Sequence, residues 1–235
     1  MSAGEILLWI ILPYVAIATF IVGHWWRYRT DQFGCTSGST QLMERRILGW
    51  ASPLFHYGAL AAIGGHFVGM MIPKSATEAV GISESTYRWI SAIPGSLAGV
   101  ACIVGFAGLA YRRTTNVRVR RATTRTDILV YFLLTVLIGL GCWMTIAHNL
   151  LASSPYDYRD SISEWWRSLF YLNPDVEAAA NASTIYQVHA IIAWAFWGLF
   201  AFSRLVHAWS IPLQYLGRPY ILYRRRYAAS STRPR

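Results

Sequence analysis

Acidic residues are scarce in this 235-residue sequence, and they avoid its long apolar stretches. There are 11 Asp and Glu against 21 Lys and Arg, and charged residues of both signs make up only 14% of the chain, while apolar residues reach 54%. So little charge argues against a soluble protein, and so much apolar and aromatic content excludes disorder, collagen and coiled coil. Cysteine is equally sparse. Cys35, Cys102 and Cys142 are an odd, scattered set without Cys-x-x-Cys spacing, so neither a disulfide framework nor a thiolate metal site is indicated. The net charge of +10 could suggest nucleic acid, but the basic residues are almost all Arg and alternate with long uncharged stretches. That arrangement reads as a membrane protein with no nucleic-acid partner.

Five runs lack Asp, Glu and Lys and are long enough to cross about 30 Å of hydrocarbon. They are Ile6 to Trp26, Ile47 to Ile72, Trp89 to Tyr111, Ile128 to Leu151 and Thr184 to Ile211, and Arg204 is the one basic residue inside them. The expected fold is therefore an all-α integral membrane bundle of five transmembrane helices forming a single membrane domain. Glu5 precedes the first run and Trp25-Trp26-Arg27 ends it, a pattern of a retained anchor rather than a cleaved signal peptide. Pro13 and Pro94 predict kinks. Gly65-x-x-x-Gly69 and Gly95-x-x-x-Gly99 are small-residue spacings that admit a close helix or a flat ligand.

Arginine distribution sets the expected orientation. The connections between runs one and two and between runs three and four, together with the 212–235 tail, carry nearly all the basic residues. The opposite side has only Lys74, Arg88, Arg159 and Arg167. The N-terminus is thus expected outside and the basic tail in the cytoplasm, with a net +14 on the inner face and −4 on the outer. The longest loop, Ala152 to Ser183, is then external, and its Trp165-Trp166 pair reads as an interfacial segment covering something beneath.

All six histidines, His24, His56, His66, His148, His189 and His207, lie in or at the ends of the runs. Burying one ionisable residue in hydrocarbon is costly unless it is paired or bound, so six together suggest metal or haem. No Cys-x-x-Cys-His is present, so any haem would be held non-covalently between axial imidazoles. Depth tests the pairing. His66 and His189 lie roughly 9 and 7.5 Å from the outer ends of their runs, a match within one turn. His56 and His207 lie roughly 13.5 and 6 Å from the inner ends, a looser match that tilt would have to absorb. His189 and His207 are 18 residues apart, five turns of one continuous helix. Depth alone leaves His24 and His148 open.

At these residues the sequence resembles the gamma subunit of membrane-bound respiratory nitrate reductase, a dihaem cytochrome b. The likeness rests on Pro13-Tyr14-Val15-Ala16, Trp26-Arg27-Tyr28, the Ala51 to His56 block, Gly65 to Met70, Arg121 to Thr124 with Asp127-Ile128-Leu129, and above all Phe202 to Ser210 followed by Ile211 to Leu216. The resemblance implies two haem b groups. His66 and His189 would hold the distal haem near the outer face, and His56 and His207 the proximal one near the cytoplasm, with His24 and His148 left to packing. It implies that quinol is oxidised beside the distal haem, at His66 and Gly69, releasing protons outside, while electrons pass to an iron–sulfur beta subunit and onward to a molybdenum-cofactor alpha subunit. The setting would be the bacterial inner membrane, with lipid around the spans.

The family looks to use a lysine where this sequence has Thr86, and Arg88 is the expected substitute at the quinol site. Arg204, one turn before His207, is expected to meet a proximal haem propionate or to snorkel to the headgroups. The competing readings are a dihaem anchor of another reductase, dehydrogenase or hydrogenase, and a haem-free transporter or scaffold, which would need polar substrate residues inside the spans.

Overall fold

The computed structural model describes residues 1–31 and 34–209. The described residues are helical with no strand, and four helices are long and apolar enough to cross a membrane: α1 (Ala3–Thr30), α2 (Arg46–Met71), α3 (Glu84–Thr115) and α4 (Arg125–Leu150). A fifth apolar helix is shorter. The 152–183 segment contributes α5 (Ile162–Phe170), and the fifth apolar run contributes α6 (Thr184–Phe200). In space α2 packs on α3, α3 on α4, α4 on α6 and α6 on α1.

Local chemistry explains where these helices begin. Ser2 and Glu5 form a reciprocal capping box at α1, as do Thr124 and Asp127 at α4, and the Ser83 hydroxyl accepts from the Thr86 N–H at the start of α3. At α2 the Glu44 carboxylate accepts from the N–H groups of Ile47 and Leu48 (2.8 and 3.3 Å). Caps of this kind carry α3 five residues upstream of its charge-free run, to Glu84. Small residues then set the packing distance between α2 and α3. A Cβ on Gly58 would lie 2.5 Å from the Cys102 nitrogen and 2.9 Å from the Ala98 oxygen, and one on Gly105 would strike the Phe55 backbone.

Pro13 acts through the hydrogen bond it cannot make. A helical residue 13 would normally donate to the carbonyl of residue 9, and proline has no N–H to give. The backbone widens into a π-turn over Leu7–Ile11, and the Trp9 carbonyl instead accepts the indole N–H of Trp165 at 3.0 Å. Trp9 and Trp165 meet edge to face at 5.2 Å inside a buried cluster with Ile162, Leu169, Val176, Ala179 and Ala182. This core joins the 152–183 segment to the start of α1, so Trp165 is packed into a cap on that end of the bundle. Pro94 lies within α3, which runs on through it.

The fifth run departs from expectation. It was expected as one helix over 184–211, but α6 ends at Phe200, residues 201–203 turn, and Arg204–Ala208 form a 3₁₀ segment. Neither glycine nor proline causes the break. Arg27 of α1 donates to the carbonyls of Ala201 (2.9 Å) and Ser203 (3.2 Å), and the Ser203 hydroxyl caps the new segment by accepting from the Leu205 N–H (3.1 Å). The five-turn relation between His189 and His207 therefore does not describe the molecule. Ser210, Ile211 and the 212–235 tail lie outside the described residues.

Candidate functional site

Histidines of α2 face histidines of the fifth run at two levels. His66 lies against His189 of α6 with ring centres 6.1 Å apart and planes 12° from parallel. His56 lies against His207 of the 3₁₀ segment, also at 6.1 Å, with planes crossed at 66°. The spacing suits an iron between them. With two imidazole nitrogens each about 2 Å from one metal and the ring centres about 1.1 Å further back, the ring centres stand about 6.2 Å apart. Among the described residues no group of three or more His, Cys, Asp and Glu is arranged to hold a metal ion. Four of the six histidines thus form two facing pairs, a donor set that would fit a haem held through two imidazoles.

Each ring nitrogen has a distinct setting. The Nδ1 atoms of His56, His66 and His207 lie 2.7, 2.7 and 2.6 Å from the carbonyls of Ser52, Ala62 and Arg204. An Nδ1–H donated to a backbone carbonyl fixes the tautomer and leaves Nε2 unprotonated, the form that binds metal. The Nδ1 of His189 is buried with no hydrogen-bond partner among the described residues. His24 belongs to neither pair: its Nδ1 meets the Phe20 carbonyl at 2.6 Å, and its ring packs on Phe20 and Phe200. His148 sits in the π-turn Ile146–Leu150 that ends α4.

Arg204 and Arg88 are both engaged with protein groups. Arg204 forks onto Asp127, Nε to Oδ1 and Nη2 to Oδ2 both at 2.5 Å, and reaches the Ser37 carbonyl with Nη1 at 3.3 Å. Asp127 is the first residue on which its donors are spent, because a buried carboxylate offers two oxygens in the geometry of the guanidinium fork. Arg88 wraps the C-terminal end of α4, donating to the carbonyls of Asn149 (2.9 and 2.6 Å), Leu150 (3.4 Å) and Ala152 (2.7 Å). Those carbonyls have no helical partner, and a cation there also meets the negative end of the helix dipole.

Gly69 is covered by the cap. A Cβ there would lie 2.5 Å from the Tyr158 hydroxyl and 3.4 Å from that of Tyr87, and the two phenols are 3.2 Å apart. Burial pushes the Tyr158 phenol far up, so it stays protonated. Nearby, the Lys74 ammonium contacts Asp157 at 2.8 Å and Asp160 at 2.7 Å, with Glu84 at 3.8 Å. Its hydrogen bonds to Asp157 and then Asp160 hold its pKa well above the usual lysine range. Burial works against the Asp157 carboxylate, but Lys74 and the Arg159 N–H outweigh it and hold the pKa below the ordinary value. Thr86, at the place of the family's lysine, is engaged with the Ser83 hydroxyl at 2.9 Å.

Tyr158, Asp127 and Arg27 were not singled out from the sequence as site residues. Only the Thr124-x-x-Asp127 capping pattern ahead of an apolar run signalled one of them.

The polar contacts divide between two ends of the bundle. One gathers Arg27, Arg112 with Glu44 (2.6 Å), Arg113 and Arg204 with Asp127, and the His56–His207 pair. The other gathers Lys74, Arg88, the acidic cap and the His66–His189 pair.

The profile of the nitrate reductase gamma subunit family matches residues 5–226. The nitrate reductase gamma chain of Bacillus subtilis (strain 168) is 37% identical over 224 residues, covering 95% of this chain and 99% of that one. The respiratory nitrate reductase 1 gamma chain of Escherichia coli (strain K12) is 33% identical over 218 residues, covering 92% and 96%. The nitrate reductase-like protein NarX of Mycobacterium tuberculosis (strain ATCC 25618 / H37Rv) is 44% identical over 232 residues, 99% of this chain, which spans 35% of that longer protein. A profile match over nearly the whole length, on a helical bundle with two facing histidine pairs, places the chain in the nitrate reductase gamma subunit family.

Proposed function

We propose that this chain is the membrane cytochrome b subunit of a respiratory nitrate reductase, oxidising quinol at its outer end and delivering electrons at its inner end. The observation that carries the reading is the pair of facing imidazoles, repeated at two levels with the same 6.1 Å separation. His66 and His189 are the proposed ligands of a distal haem b, and His56 and His207 those of a proximal one. Bound haem would supply one-electron carriage between a two-electron quinol donor and an iron–sulfur partner.

The chain's own residues do the positioning. The carbonyls of Ala62, Ser52 and Arg204 hold three of the rings in the tautomer that leaves Nε2 toward the metal. His66 and Gly69 form the proposed quinol end, where the Tyr87 and Tyr158 hydroxyls supply neutral hydrogen-bonding groups. Arg88 is the proposed cation of that end, held in place where its Nε and Nη2 cap the end of α4. Asp157, Asp160, Glu164, Asp175 and Glu177 make the outer face acidic, a potential that favours release of protons on that side.

Five crossings, with α6 and the 3₁₀ segment forming the last, put the arginine-rich end in the cytoplasm by the positive-inside rule. That end is the proposed docking face for the iron–sulfur subunit, which passes electrons to the molybdenum-cofactor subunit where nitrate is reduced. The membrane is a bacterial inner membrane. The test is a difference spectrum of membranes holding the chain with its partner subunits. A quinol analogue should produce a reduced b-type haem spectrum that nitrate then bleaches. A purified chain with no haem sinks the reading.

A further inference from the structure

The proximal histidine does not ride on the helix that carries the distal one. The chain turns at residues 201–203, and His207 sits on a separate 3₁₀ segment held from two directions. From one side Arg27 of α1 grips the Ala201 and Ser203 carbonyls at 2.9 and 3.2 Å, and its other arm reaches the Gly34 carbonyl at 2.8 Å. From the other side Asp127 of α4 grips Arg204, the first residue of the segment, with both carboxylate oxygens. Asp127 is itself fixed. Its side chain is 4% exposed, it closes the capping box by accepting from the Thr124 N–H (2.9 Å), and it takes a further contact from Arg113 at 3.3 Å.

The residue so gripped also supplies the backbone acceptor for the imidazole. The carbonyl of Arg204 is the group that meets His207 Nδ1 at 2.6 Å. Whatever locates Arg204 therefore locates the acceptor that orients the His207 ring. His66 has a different arrangement: its Nδ1 acceptor, Ala62, is four residues upstream in the same continuous α2 helix. The pair served by the clamp is also the crossed one, at 66° against 12° for the other.

A buried ion pair is a weak stabiliser compared with apolar packing, so stability alone does not account for placing a carboxylate between two guanidinium groups here. We propose that Asp127 and Arg27 are positioning residues for the proximal haem, with the Asp127–Arg204 pair setting the orientation and basicity of His207 through the Arg204 carbonyl. The proposal rests on the two-haem reading. Groups that orient a metal-bound histidine in this way typically change metal affinity 10- to 100-fold when altered.

The test uses the full chain, expressed with its partner subunits, in native membranes. Haem per chain is measured as the pyridine haemochrome, and the ferric low-spin resonances and midpoint potentials are recorded for wild type, Asp127→Asn, Arg204→Lys and Arg27→Lys. His56→Ala identifies which resonance belongs to the proximal pair. Asp127→Asn keeps the size and the capping role but weakens the ionic grip, and a lysine cannot span both carboxylate oxygens. Each of the three variants should shift the proximal resonance and potential and weaken proximal haem affinity 10- to 100-fold, leaving the distal resonance in place. Unchanged proximal signals in Asp127→Asn and Arg204→Lys overturn the proposal. So does equal disturbance of both haems, which would make the clamp a support of the whole bundle. Wild-type membranes without two haems would instead fail the underlying reading.

Discussion

Replacing Trp165 tests whether the external cap is anchored through the backbone of α1. The side chain is 1% exposed, meets Trp9 edge to face at 5.2 Å, and donates its indole N–H to the Trp9 carbonyl at 3.0 Å. Trp165→Ala should cost the cap about 3–5 kcal/mol, the range for a large aromatic removed from a packed core. Trp165→Phe keeps a ring in the cluster and removes the donor, so its cost should be about 1–2 kcal/mol, that of leaving a buried carbonyl unpaired.

With tenfold per about 1.4 kcal/mol, the alanine variant raises the opening equilibrium by two to three orders of magnitude and the phenylalanine variant by roughly tenfold. Hydrogen exchange of the amides in α5 reads that opening directly. A double-mutant cycle sharpens the test, because Pro13→Ala restores an N–H that can satisfy the Trp9 carbonyl in the absence of the indole. The cost of Trp165→Phe should then shrink by about 1 kcal/mol. Unaltered exchange in Trp165→Ala, or a phenylalanine cost indifferent to residue 13, would refute the anchoring argument.

His66→Ala should remove the distal haem and quinol oxidation while sparing the proximal haem, and His56→Ala should remove the proximal one, measured as haem per chain and by difference spectra. Gly58→Ala drives a methyl into the α3 backbone and should lower the yield of assembled protein severalfold, whereas a Cβ at Gly49 meets nothing within 4 Å, so Gly49→Ala should assemble normally. The Lys74–Asp157 contact gives the cap a pH window. The depressed Asp157 pKa adds stability that is complete above the unfolded value of about 4 and is lost as pH falls through the lower folded value. The raised Lys74 pKa adds stability complete below about 10.4 and lost only as pH rises through the higher folded value. Protease resistance of the 152–183 segment should therefore be flat from about pH 5 to 9 and fall below pH 4, and Lys74→Met should weaken the plateau and flatten the acid limb.

The second, third and fourth spans were legible because long charge-free runs admit few other structures in a membrane. Their ends drifted by a few residues wherever a cap such as Ser83 extended the helix into polar sequence. Depth arithmetic placed His66 within a turn of His189, and the two face each other because both lie on uninterrupted helix, although depth alone left His24 and His148 open. The looser match of His56 with His207 has a structural cause: the fifth run breaks between the two levels. Nothing at residues 201–203 announces that break, because the group responsible, Arg27, is more than 170 positions away in the chain. The same distance problem hid the partner of Arg204. Asp127 lies 77 residues earlier and could be read locally only as a helix start. Arg88 was legible as an outer cation but not as a cap, since its acceptors belong to the far end of α4.

One unbroken helix, α2, carries His56 and His66 on a single rigid axis. Ten residues set the two rings about 15 Å apart along that axis and turn the second by about 80° around it. If the two proposed haems are bound there, their separation is set by the residue count between these histidines. A single inserted residue would add about 1.5 Å and rotate one ring by about 100°, taking it out of register with its facing histidine. The helix works as a gauge block: it tolerates changes of side chain along its lipid side far better than any change in its length between the two rings.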